Sequence, residues 1–265
     1  MASDVTDPVR IFVACTPNGE DLEQQAVHAY TLHRMCSRPY ELRWLKLDND
    51  KGSALRYTKF ATAGWSTNFS GLRWLVPDLC EYEGKAIYCD VDTWWERDPC
   101  ELWDQPHDGA ALMAAGNYGK PSYGVLFWDC AAAKGHIQSK PEKTDYMGAN
   151  TAYFRAAGAP VVKKWEGDWN CLDGGKYESV TDPRIGLHHA TAMSTQPGHK
   201  YALPRLAAEG RKHWYDGEIR PHPRPDYQER FDSLLRQAIS FDFTPERYKP
   251  TGPLLHFHKK SYRGK

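Results

Sequence analysis

The chain of 265 residues predicts an α/β fold with a mostly parallel central sheet covered by helices on both faces, followed by a C-terminal extension. Two observations carry this. Short apolar, β-branched runs alternate with segments of helical period along the first 160 residues or so. After residue 195 that texture is replaced by a stretch rich in Pro, Gly and charge. The length suits one domain with an appendage and is enough for a sizeable core. The boundary is placed at 198, with a catalytic domain over 1–198 and an extension over 199–265 packed on it.

The elements follow in order. "VRIFVAC" (9–15) reads as a central strand, and "TPNGED" as a loop that can start a helix. "LEQQAVHAYTLHRM" puts Leu22, Ala26, Val27 and Tyr30 on one helical face. "YELRWLKL" (40–47) reads as the next strand. "NFSGLRWLVPDLC" reads as a helix with Phe69, Leu72 and Leu75 inward that stops around Pro77. "KAIYCD" (85–90) is a third strand, and "AALMAAG" and "YGVLFWDC" two more. Residues 144–158 form a helix with Thr144 as cap and Gly158 as stop. "RIGLHHAT" (184–191) is a short strand ending in histidines, and 227–239 a helix in the extension.

Charge is balanced, with 34 basic and 34 acidic residues, which argues against a polybasic nucleic-acid or membrane protein. The seven cysteines are irregularly spaced with no CxxC pair. They read as reduced core residues, not a disulfide framework or a structural zinc site. "MASDVTDPVR" lacks the apolar stretch of a signal peptide, and no run approaches a membrane span. A cytoplasmic protein is expected, peripheral to a membrane if a partner anchors it.

The chemistry concentrates in "KAIYCDVDTWWERDPCELWD" (85–104). Asp90 and Asp92 lie two residues apart at the end of an apolar strand, where ligands of parallel sheets bind. Such a pair is either a site for a hard divalent cation or the polar start of a loop. His188, after another apolar strand, is either a satisfied buried histidine or a third ligand. Trp94 and Trp95 are core residues or a platform for a sugar, and "HWYDGEIRPHPRPD" (213–226) is an exposed loop or part of an acceptor site.

Together the segments resemble glycosyltransferase family 8, the GT-A fold group that includes glycogenin and bacterial galactosyltransferases. "RIFVAC" resembles its first nucleotide-binding strand, and "NFSGLRWLVPDLC" its arginine-bearing helix before the metal motif. "KAIYCDVDTWWERDPCELWD" resembles its "IYLDxD…ELW" block. "SYGVLFWDC", "TDYMGANTAYF", "WNCL" and "GLHHATAMSTQP" resemble the later "NSG", "DQxxlN", "fN" and "HxxGxxKPW" elements. The resemblance covers residues 9 to 198.

That resemblance implies transfer of a hexose from a nucleotide-sugar donor, a UDP-sugar, to a sugar or other hydroxyl acceptor, with retention and with Mn²⁺ or Mg²⁺ as cofactor. Asp90, Asp92 and His188 match the metal ligands, with His256 beside Lys259 and Lys260 as the rival third ligand. Ala14, Cys15, Thr16, Arg73, Lys85 and Val91 match donor contacts. Asp145 matches the acid that holds donor-sugar hydroxyls, and Asn150 the polar contact after it. Tyr146 stands where the family has glutamine beneath the anomeric carbon. The lysine and tryptophan of "KPW" are absent from "TQPGHKY", where Lys200 stands in, and "CTPNGED" replaces the base-binding loop. A sugar nucleotidyltransferase and a non-catalytic nucleotide-sugar-binding protein are the alternative readings.

Overall fold

The computed structural model describes residues 7–117, 120–158 and 161–257. In chain order it contains β1 (Val9–Ala14), α1 (Leu22–Met35), β2 (Tyr40–Leu45), α2 (Val76–Leu79), β3 (Lys85–Asp90), β4 (Thr93–Trp95) and α3 (Cys100–Trp103). There follow β5 (Leu112–Asn117), β6 (Lys120–Asp129), α4 (Tyr146–Ala157), β7 (Val162–Lys164), β8 (Cys171–Leu172), β9 (Leu187–His189), α5 (His199–Ala208) and α6 (Pro225–Ser240).

The main sheet has the order β2-β1-β3-β6-β5-β7. Only β6 runs against the others: β1 pairs in parallel with β2 and β3, and β5 with β7. The sheet is therefore mostly parallel, as expected. β1 and β3 are interior strands, and their near-continuous apolar sequences follow from burial on both faces. A second, small sheet has the order β4-β9-β8. It sits directly after the Asp90–Asp92 turn in the chain and holds both histidines of "LHH".

Helix α1 differs from the one-faced helix expected, because it is buried from Leu22 to Leu32. α6 covers the side away from the sheet: Ala26, Val27 and Tyr30 pack with Tyr227, Phe231 and Leu234. Its buried polar residues are partnered, as burial requires. His28 Nδ1 contacts Thr93, Gln25 donates to Asp21, and Arg205 pairs with Glu23.

Three further expectations need correction. Residues 70–74 form a 3-10 turn, and Pro77 lies in the first turn of α2 instead of ending a helix. Proline is tolerated there because the first N–H groups of a helix have no internal partner. Phe69, Leu72 and Leu75 are nevertheless buried. Thr144 is not the cap of α4; Asp145 precedes the helix and makes no capping hydrogen bond, while Gly158, with φ +56°, does end it. α5 arises from a stretch with no legible period, and it tolerates Pro204 within it. All seven cysteines are free, and six of them are buried. Among the described residues no helix is long and apolar enough to cross a membrane.

Candidate active site

Ala14 of β1 lies in register with Asp90 of β3, and the carboxyl ends of these two strands open on a cavity of about 500 Å³. β3 delivers Asp90 to its wall. The chain then turns, with Val91 N–H donating to Ala14 O (3.2 Å) and Thr93 Oγ1 to Asp90 O (2.8 Å). Asp92 O accepts from Ala190 N (2.8 Å), which ties the turn to the end of β9. This tie brings a histidine from almost a hundred residues away to the two carboxylates.

That histidine is His189. Its Nε2 lies 3.2 Å from Asp92 Oδ1 and 3.9 Å from Asp90 Oδ2. One ligand atom from each of the three residues falls within 4.8 Å of the others. Its Nδ1–H donates to Asn170 Oδ1 (2.8 Å), whose amide is oriented by a bond from Nδ2 to Ser122 Oγ (3.0 Å). In the neutral ring this leaves the Nε2 lone pair facing the carboxylates, the tautomer a metal ligand needs. Gly124 provides the room: a Cβ there would stand 2.1 Å from His189 Cε1 and 3.2 Å from Asp90 Oδ2.

Each aspartate has its own supporting shell. Arg73 Nη2 donates to both oxygens of Asp90 (3.0 and 3.2 Å), and Tyr88 OH to Oδ1 (2.5 Å). Arg73 is fixed in turn by Ser70 O and Tyr123 O. Asp92 Oδ2 accepts from Gln196 Nε2 (2.6 Å), while Gln196 Oε1 accepts from Gln24 (3.2 Å). Burial pushes the Asp90 carboxyl above its ordinary range despite Arg73 and His189. Burial opposes charge on His189 too, but Asp92, Asp90 and Asp173 outweigh it and hold the ring protonated to higher pH than an ordinary imidazole.

The three residues fit a divalent cation. Asp92 Oδ1 is buried and accepts no directed hydrogen bond. Two carboxylates and one oriented imidazole at this spacing form a donor set suited to Mn²⁺ or Mg²⁺.

His188, the expected third ligand, faces the other way. Side chains alternate along a strand, so His188 is buried against Trp94 (4.9 Å between rings), with its Nε2 2.8 Å from Val180 O. The rival His256 is exposed and outside the cluster, and Lys259 and Lys260 lie outside the described residues. Thr16, Arg73 and Val91 do line the cavity, whereas Ala14 and Cys15 are fully buried core residues. Lys85 begins β3, about 16 Å from the Asp90 end by strand rise, and donates to Trp103 O (3.2 Å). Lys200 is committed to Asp232. Asp145 is exposed and not among the cavity residues. Tyr146 is buried in the core, and Asn150 is used internally, accepting from Gln138 N and donating to Tyr146 O. α4 instead turns Met147, Thr151 and Arg155, at i, i+4 and i+8, to the cavity. Trp94 and Trp95 are core residues.

Sequence reasoning missed His189, Gly124, Asn170, Gln196 and Gln24. The "HH" doublet and the asparagine of "WNCL" were visible signals for His189 and Asn170; the two glutamines carried none.

No known protein-family profile matches the chain. The architecture is the glycosyltransferase GT-A fold. Among solved structures, the chain is similar to the glycosyltransferase GlyE of Streptococcus pneumoniae TIGR4, with TM-score 0.51 and 14% identity over 93% of this chain and 66% of that one. It is also similar to the galactosyltransferase LgtC, solved with donor and acceptor sugar analogues, with TM-score 0.50 and 16% identity over 86% of this chain and 96% of that one. In sequence, 106 residues are 34% identical to Protein CDI of Arabidopsis thaliana, which is 40% of this chain and 40% of that protein.

Proposed function

We propose that this chain is a metal-dependent glycosyltransferase that moves a hexose from a nucleoside-diphosphate sugar, a UDP-sugar, to a hydroxyl of a sugar or other acceptor, with retention. The observation that carries the reading is the Asp90–Asp92–His189 cluster at the carboxyl ends of β1 and β3, inside a cavity of about 500 Å³. That volume is in the range of small-ligand sites.

A divalent cation at this cluster supplies Lewis-acid stabilisation of the negative charge that gathers on the leaving diphosphate. The protein's part is to hold that arrangement ready. Arg73 and Tyr88 fix the Asp90 carboxylate, and Gln196 fixes Asp92, so little reorganisation is needed when charge develops. Asn170 keeps the proton on His189 Nδ1 and leaves Nε2 available. Phe69, Met147 and Leu172 give the cavity an apolar wall against which a sugar ring can pack.

The outward position of Asp145 and the burial of Tyr146 favour one second reading, a protein that binds a nucleotide sugar without transferring it. Incubation with a panel of nucleotide sugars, Mn²⁺ and hydroxyl acceptors separates the two. Transfer predicts a nucleoside diphosphate and a glycosylated product; binding alone predicts thermal stabilisation with the donor intact. Release of pyrophosphate would contradict both and point to nucleotidyl transfer.

A further inference from the structure

The hydrogen-bonded residues that line the cavity fall into two sets, here called arms, one on Asp90 and one on Asp92, which meet at His189. On the Asp92 side, Gln196 and Gln24 lead to Thr16 and Asp21 in the loop after β1. On the Asp90 side, Arg73 leads to Ser70 and Tyr123, and beyond them to Met147, Thr151 and Arg155 of α4. In α/β sheets a nucleotide is expected in the first arm, at the end of a parallel strand where the next helix starts.

The loop that forms this arm contains no aromatic side chain from Thr16 to Asp21. A nucleobase is bound most economically against a π-face. The aromatic wall of the arm comes from elsewhere in the chain: His213 and Trp214, between α5 and α6, line the same cavity. Several bonds hold their segment against the loop after β1. Arg211 Nη2 donates to Asn18 O, and Arg205 of α5 donates to Gly19 O (3.0 Å) and pairs with Glu23. His213 packs edge-on against His199 (4.8 Å), and its Nδ1 accepts from Tyr215 N–H (3.0 Å). These contacts set the segment that carries His213 and Trp214 beside the loop after β1, where Trp214 packs against His213 (5.5 Å between ring centroids) and edge-on against Tyr215 (6.1 Å). Phe69 and Tyr123 also line the cavity, but they lie in the segments that hold Arg73 on the Asp90 side, and Tyr123 O accepts from Arg73.

We propose that the C-terminal extension, and not the loop after β1, supplies the stacking surface for the donor's nucleobase, with Trp214 as the stacking residue. The proposal rests on the reading of the cavity as a nucleotide-sugar site. It assigns the segment around residues 211–215 to donor binding and explains how a loop as polar as "TPNGED" can border a base.

Calorimetric titration of the full chain with UDP and with inorganic pyrophosphate, both with Mn²⁺, tests it. Trp214→Ala should weaken UDP about tenfold and leave pyrophosphate within about twofold, because only UDP carries a base; Trp214→Phe should restore most of the loss. Unchanged UDP affinity in Trp214→Ala, or equal weakening of UDP and pyrophosphate, would overturn the proposal. If the wild type binds pyrophosphate but not UDP, the stacking site is wrong while the metal cluster stands. If it binds neither, the nucleotide-sugar reading itself fails and the proposal with it.

Discussion

At the scale of single residues, the two adjacent histidines separate packing from chemistry. His188 fills space beside Trp94 and Tyr227, so His188→Ala should cost about 2–4 kcal/mol of stability and leave Mn²⁺ affinity of the folded protein intact. His189→Ala should do the reverse, and paired thermal melts and Mn²⁺ titrations read both. Asn170→Ala, which frees the His189 tautomer, should lower Mn²⁺ affinity about 10- to 100-fold. Gly124→Ala should act the same way, since its Cβ would stand 2.1 Å from the imidazole. The raised pKa of His189 sets a sign. Its stabilisation of the metal-free fold is fully present below the unfolded value, about 6.5, and is lost as pH rises through the higher folded value. Mn²⁺ affinity should climb over that same window as the ring gives up its proton, measured by titration at several pH values. The sequence showed that a carboxylate pair and a histidine were available; it did not show which histidine. That choice depends on strand parity, fixed by the register of His188 opposite Trp94 and His189 opposite Thr93.

At the scale of elements, β1, α1, β2, β3 and α6 were legible because each carries a period or an apolar run strong enough to stand without context. β4, β8 and α3 were not: they have three, two and four residues, too short for any period, and the two strands exist because each pairs with β9, "LHH". α4 was legible as a helix but not in its facing, so the residues expected to reach the donor, Asp145 and Asn150, are displaced by Met147, Thr151 and Arg155. The loop after β1 carries a further prediction. Burial, and then the neighbouring Asp21, push Glu20 up from 4.5 to about 7. Over that window the folded chain holds a proton that the unfolded chain has lost, so stability should fall as pH rises. Glu20→Gln should flatten the fall, by roughly 2–3 kcal/mol, in urea melts at either end of the window.

At the scale of the whole molecule, α6 packs on the elements that carry the site. α6 shares one core cluster with α1 and with Trp94 of β4, and Arg230 of α6 pairs with Glu96 just beyond β4. We therefore expect one cooperative unfolding transition for the full chain, and no folded product from residues 1–198 alone, checked by calorimetry and near-ultraviolet dichroism. The mostly parallel sheet was legible from the alternation of elements; the antiparallel β6 was legible only from the break in it, since "AALMAAG" and "YGVLFWDC" follow one another with a connection too short for a parallel crossover. The central claim is that Asp90, Asp92 and His189 hold the cation that makes sugar transfer possible. Its most direct test is nucleoside diphosphate release from a panel of nucleotide sugars with an acceptor mixture, run with Mn²⁺, with EDTA, and with His189→Ala and His188→Ala. Release is expected from one donor class, abolished by EDTA, restored by Mn²⁺, removed by His189→Ala and retained by the folded fraction of His188→Ala. Release that survives EDTA, or full activity in His189→Ala, would contradict it.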